Sequence, residues 1–199
     1  MKQQIVVIHG GHAFDTYEEY LANLKDKEVT LERLSFRDWK KNLPEVLGSE
    51  YEVLAPQMPN AQNARYEEWK IWFEKFIPFL RDEIIFVGHS LGGIFLVKYL
   101  SENKFPKKIK ATFLVAAPFN TTEEHPRADF IISKDLSLFV KQGGEIFIYH
   151  SKDDKVVPYS NVSSYERALP SAHAKTFQDR GHFNLEEFPE IVEDIRNLS

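Results

Sequence analysis

With 199 residues, 43% hydrophobic and 28% charged, the chain has the make-up of one soluble globular domain over residues 1–199. A net charge of -5 argues against nucleic acid as a partner, because a surface that binds it is basic. The lack of cysteine excludes disulfides, thiolate metal ligands and a cysteine nucleophile, while 14% aromatic residues, 16 of them Phe, must find a place in a core or a pocket.

At the N-terminus, Met1, Lys2 and two glutamines precede an apolar stretch over 5–9. It is shorter than the roughly 7 to 15 residues of a secretory signal and the roughly 20 of a spanning helix, so a cytoplasmic location is expected. Further runs rich in Val, Ile and Phe follow at 51–55, 84–88, 111–116 and 146–150, with a weaker one at 174–177. Their unbroken hydrophobicity suits strands covered on both faces.

Between the second and third runs, Tyr66, Trp69, Ile71, Trp72, Phe73, Phe76 and Phe79 recur at three- and four-residue steps, which predicts a helix laying its aromatics on a sheet. Residues 91–100 predict a second helix close to the sheet. A last one, from 187 or 188 to 198, carries Ile191, Ile195 and Leu198 on one side. Strands alternating with helices imply a doubly wound α/β fold: a mainly parallel sheet of about six strands with helices on both faces. Ligands of such sheets bind at the carboxyl ends of the strands, so chemistry is sought just after each run.

Gly88-His89-Ser90-Leu91-Gly92, followed by Gly93, lies between the run at 84–88 and the helix at 91–100. This is the strand–turn–helix setting that a Gly-x-Ser-x-Gly nucleophile elbow requires. A serine hydroxyl needs a base to take its proton and an acid to orient that base, in the chain order Ser, Asp or Glu, His. His182 follows the last run and meets that order; His9, His12, His89, His125, His150 and His173 fit it less well. Asp153 and Asp154 follow the strand at 146–150. Asp154, four residues before Pro158, is favoured as the acid, which leaves Asp153 to form the turn. The stretch that follows the preceding run, Ala117-Pro118-Phe119-Asn120, holds no carboxylate. For the oxyanion, the backbone amide of Leu91 is one expected donor and that of Gly11, in His9-Gly10-Gly11-His12, the other, with His12 the second choice.

With these motifs in this order the chain resembles the α/β-hydrolases over essentially its whole length. Within them it is similar to the small, capless serine hydrolases related to retinoblastoma-binding serine hydrolase. The narrower match rests on Pro56-Gln57-Met58-Pro59-Asn60, Trp69, Asp153-Asp154 with Pro158, and Gly181-His182-Phe183. The resemblance implies a serine esterase that uses Ser90, Asp154 and His182, forms an acyl-enzyme and needs no cofactor or metal. Lys155 departs from the usual proline after the acid, and the first loop is unlike its counterpart in the family. The family's retinoblastoma-binding motif contains cysteine, so that partner is not carried over.

The short connection over 117–134 leaves no room for a cap, so an open cleft is expected, with Phe14, Phe119, Tyr159 and Phe183 placed to line it. No long exposed amphipathic lid is evident, which argues against an interfacial lipase and a membrane partner and favours small soluble esters or thioesters. Two rival classes are a metal-dependent hydrolase built on His9, His12, His150 and Asp154, and a non-catalytic interaction protein on the same fold.

Overall fold

The computed structural model describes residues 2–119, 129–133 and 135–198. Six strands, β1 (Gln3–Ile8), β2 (Tyr51–Leu54), β3 (Ile84–His89), β4 (Ile109–Val115), β5 (Glu145–Ser151) and β6 (His173–Phe177), form one sheet in the order β2-β1-β3-β4-β5-β6. Every neighbouring pair is parallel. All six coincide with the apolar runs of the sequence to within two residues at either end. From β1 the chain moves outward to β2 and then returns to the other side of β1 as β3. The order therefore reverses between β1 and β3, where Ile8 pairs with Gly88, and a crevice opens beyond their carboxyl ends.

Alternate residues of the strands enter two separate cores. Val6, Ile8, Phe86, Leu114 and Ile148 face the side covered by α4 (Tyr66–Phe76), α5 (Leu91–Glu102), α6 (Ser137–Gln142) and α7 (Ser160–Ala168). Ile5, Val7, Val87, Phe113 and Tyr149 face α3 (Trp39–Leu47) and α8 (Pro189–Asn197). Burial on both faces is why the strands read as continuous rather than alternating.

Three details differ from the sequence expectation. Trp69 and Phe73 are wholly buried, but Trp72 and Phe79 are 43% and 76% exposed, and Ile71 also lies outside. The aromatic run therefore straddles both faces of α4. The helix stops at Phe76, and Ile77–Phe79 forms a single 3₁₀ turn, because Pro78 would clash with the carbonyl four residues back in a continuing α-helix. The last helix starts at Pro189, whose fixed φ and missing N–H suit a first helical position.

The third difference is α1 (Tyr17–Asp26), closed by a capping box between Thr16 and Glu19, and followed by a short α2 (Leu31–Ser35). α1 buries none of its residues, so the chain does carry an exposed amphipathic helix. Among the described residues no cap domain stands between β4 and α6. Asn120 and His125, named above, and residue 134 at the end of the short connection lie outside the described residues. No helix among the described residues is long and apolar enough to cross a membrane.

Candidate active site

Ser90 follows β3 directly, with φ 53° and ψ -119°, a backbone conformation that costs a non-glycine residue about 1–3 kcal/mol and persists only where its surroundings over-determine it. Here they do. The Ser90 amide donates to the Val115 carbonyl at 2.8 Å, and the Ser90 carbonyl accepts from the amides of Gly93 and Ile94 at 2.9 and 3.3 Å. The turn closes so tightly that a Cβ on Gly88 would lie 2.6 Å from the Gly93 Cα, and one on Gly92 only 2.2 Å from the Ile8 carbonyl oxygen. The glycines of the motif are therefore steric requirements, and the serine hydroxyl does not cap α5 but is left on the cleft side.

His182 stands on the loop after β6 between Gly181 (φ 51°) and Phe183 (φ 53°). Its Nδ1 lies 2.8 Å from Asp154 Oδ2. The other oxygen of Asp154 accepts the amides of Val156 and Val157 at 2.8 and 2.9 Å. Burial alone would raise the Asp154 carboxyl, but His182 and these amides outweigh it and hold the group below the usual carboxylate range. Asp153 points elsewhere: its Oδ1 accepts from Ser151 Oγ and the Gly181 amide, fixing the turn beside His182.

A second polar chain reaches the His182 loop from behind. His89 Nε2 lies 2.8 Å from the His182 carbonyl, so it must donate, which leaves Nδ1 to accept from Lys40 Nζ at 3.4 Å. Lys40 is paired with Asp38 at 2.7 Å and lies over the Trp39 ring. Burial, reinforced by Lys40 and His182, pushes His89 well below the ordinary imidazole value. Burial also lowers Lys40, against the pull of Asp38. Neither Lys40 nor Asp38 was singled out in the sequence. Both come from a part of the chain with no distinctive motif, and only the docking of α3 brings them to the site.

The loop after β1 is zipped onto residues 61–64: the His12 amide donates to the Ala61 carbonyl and the Ala64 amide to that of His12, both at 2.8 Å. The His12 amide is thus consumed. That of Gly11 has no acceptor among the described residues, and the neighbouring Gly10 is close enough to the serine that a Cβ there would lie 3.1 Å from Ser90 Cβ. Leu91, the first residue of α5, has no carbonyl one turn back to receive its amide. His9 is held in place, with Nε2 accepting the Met58 amide at 2.9 Å, while Pro59 accepts the Trp69 indole N–H at 2.8 Å. The Pro56-to-Asn60 stretch therefore braces this loop.

These groups surround a cleft of about 680 Å³ containing Ser90, His182, Gly11, Leu91 and Lys40. Of the four aromatics expected in its wall, the structure places only Phe14 there. Phe183 is wholly buried between Phe177 and Phe188, Phe119 packs on Tyr165, and the Tyr159 hydroxyl meets Thr176. A strand end aims the backbone at the crevice without deciding which way each side chain turns. Of His9, His12, His150 and Asp154, His150 Nε2 lies 3.7 Å from Asp154 Oδ2, but the four do not gather around one point. His150 Nε2 donates to the Val157 carbonyl, and no group of three or more His, Asp or Glu among the described residues is arranged to hold an ion.

Residues 34–195 match a family model described as serine hydrolase. The chain is 26% identical over 168 residues to serine hydrolase RBBP9 of Rattus norvegicus, covering 80% of this chain and 83% of that one. Its fold is similar to that of the ydeN gene product from B. subtilis, with a TM-score of 0.73 at 18% identity, covering 99% and 98% of the two chains. It is similar also to an esterase from Exiguobacterium antarcticum, with a TM-score of 0.56 at 15% identity, covering 98% and 90%.

Proposed function

We propose, from the premise that this chain belongs to the serine hydrolase family and is a hydrolase, that it cleaves carboxylic esters or thioesters with Ser90 as nucleophile, His182 as base and Asp154 as the acid that orients it. The observation that carries this reading is the 2.8 Å contact between buried Asp154 and Nδ1 of His182, which lines the same cleft as Ser90 on its strained turn.

In this reading the Ser90 oxygen attacks the acyl carbon as its proton passes to His182 Nε2, and the tetrahedral oxyanion is held by the amides of Gly11 and Leu91. Collapse of that intermediate breaks the acyl–oxygen or acyl–sulfur bond. The leaving alcohol or thiol takes the proton from His182, and Ser90 remains acylated. Water, deprotonated by His182, then attacks the acyl carbon. The acid departs and the proton returns to Ser90. Asp154 stays ionised throughout, favouring the imidazolium that forms at each step.

The test is labelling of the purified protein by a fluorophosphonate. Wild type should label, the label should survive a chelator, and Ser90→Ala should abolish it. Hydrolysis of 4-nitrophenyl esters by Ser90→Ala should fall by up to about a million-fold. A folded wild type that takes no label would rule out the serine mechanism. Label that persists in Ser90→Ala would place the nucleophile elsewhere.

A further inference from the structure

On α1, Tyr17, Tyr20, Leu21 and Leu24 fall at i, i+3, i+4 and i+7, the spacing of a helix that lays one stripe on a core. No core receives it. Tyr17, Leu21 and Leu24 are 60%, 36% and 40% exposed, and beyond the helix Leu31 and Leu34 are 83% and 73% exposed. An apolar surface so concentrated on one short segment marks a binding face.

Its position identifies the occupant. Asn23 of α1 lines the catalytic cleft, and Lys27, just past the helix, donates to Gln62 of the cleft wall at 3.0 Å, so α1 forms the rim of the cleft. From the cleft a row of rings leads onto the stripe. His12 and Phe14 stack at 6.1 Å, Phe14 meets Tyr20 at 5.9 Å, and Tyr20 meets Tyr17 at 5.8 Å. The charges of the segment are mixed: Glu18, Glu19 and Asp26 against Lys25 and Lys27. No single sign is present to draw an anionic lipid surface or a strongly charged partner. An uncharged, slender apolar chain that starts at Ser90 and leaves along the rings matches the row of rings, the stripe of α1 and the mixed charge.

We propose that the row His12–Phe14–Tyr20–Tyr17, with Leu21 and Leu24, is the acyl-chain track of a hydrolase whose substrates are medium- to long-chain esters or thioesters. The proposal rests on the ester-hydrolase reading above and replaces the expectation of small acyl groups. It takes an extended chain outward over α1 rather than inward.

The test uses 4-nitrophenyl esters from C2 to C10, each kept below its critical micelle concentration. A methylene moved fully from water is worth about fourfold in binding, and on an open track, half covered, about twofold. Between C4 and C10, kcat/KM should therefore rise by about sixtyfold, mostly through KM. In Tyr17→Ser/Leu24→Ser the ratio of C10 to C2 activity, from which any general loss cancels, should drop at least tenfold. Trp72→Ser, at an aromatic of α4 that is 43% exposed and lines no part of the cleft, should leave that ratio unchanged. A plateau beyond C4, or an unaltered ratio in the double variant, overturns the proposal. So does activity that rises only when the ester forms micelles, which would assign α1 to a lipid surface. A wild type that sediments as a dimer while the double variant is a monomer would assign it to a second copy of the chain. Titration with decanoate and butyrate needs no turnover and separates this proposal from the reading beneath it. Decanoate should bind wild type and Ser90→Ala alike and the double variant at least tenfold more weakly; equal binding to all three overturns the track even if no ester is cleaved.

Discussion

Replacing Asp154 by asparagine would preserve the shape of the site and reverse one hydrogen bond. Oδ1 of Asp154 already accepts two amides, from Val156 and Val157 at 2.8 and 2.9 Å. The asparagine oxygen must keep that place, because turning the NH₂ group toward two N–H donors would leave three donors facing one another. Its NH₂ group then faces His182 Nδ1, where Oδ2 now lies at 2.8 Å. A donor there forces Nδ1 to carry the lone pair and Nε2 the proton, so His182 can no longer accept the serine proton. The wrong tautomer, with loss of the charge that favours the imidazolium, should lower kcat by about 10⁴, or about 5.4 kcal/mol. In Asp153→Asn the remaining oxygen can still accept from Ser151 and Gly181, and the loss should stay under tenfold. Steady-state hydrolysis of a 4-nitrophenyl ester by both variants decides the matter, with circular dichroism to confirm folding. An Asp153→Asn defect equal to or larger than that of Asp154→Asn would refute the assignment, as would an Asp154→Asn enzyme within tenfold of wild type.

Other consequences can be measured by unfolding. Gly92→Ala puts a methyl 2.2 Å from the Ile8 carbonyl oxygen, which as backbone of a central strand cannot turn aside, so urea midpoints should report a loss of about 3 kcal/mol or more. Trp69→Ala, at a wholly buried ring bonded to Pro59, should cost about 3–5 kcal/mol, whereas Trp72→Ala should stay within about 1 kcal/mol. His89 and His150 are both buried with lowered pKa values, chiefly through burial. The unfolded chain therefore binds protons first as pH falls through about 6.5. Stability should be full above that value and decline below it. His89→Gln keeps a side-chain N–H for the His182 carbonyl and should make that decline shallower. An unchanged slope in His89→Gln would show that His89 does not contribute to it.

The sequence was most informative where a requirement is local. A parallel strand buried on both sides must be apolar at every position, so all six strands stand out as runs of Val, Ile and Phe. A chain that reverses from strand to helix around a strained serine leaves space only for glycine at 88, 92 and 93, and that constraint is written within six consecutive residues. Helices were less legible. The α4 stretch is aromatic on both faces, so its period did not separate Trp69 from Trp72. α1 carried a capping box and an apolar stripe whose meaning depends on what lies beside it.

What the tertiary structure alone decided is which distant groups meet. Asp154 and His182 are 28 residues apart, and their contact depends on β5 and β6 lying side by side. Lys40 reaches His89 across 49 residues because α3 docks against the sheet. Phe14, Phe119, Tyr159 and Phe183 follow strand ends alike, yet only Phe14 turns into the cleft. Steric rules act between neighbours in the chain and leave a pattern in it. Side-chain encounters across the fold are set by strand order and packing, to which no single stretch of sequence corresponds.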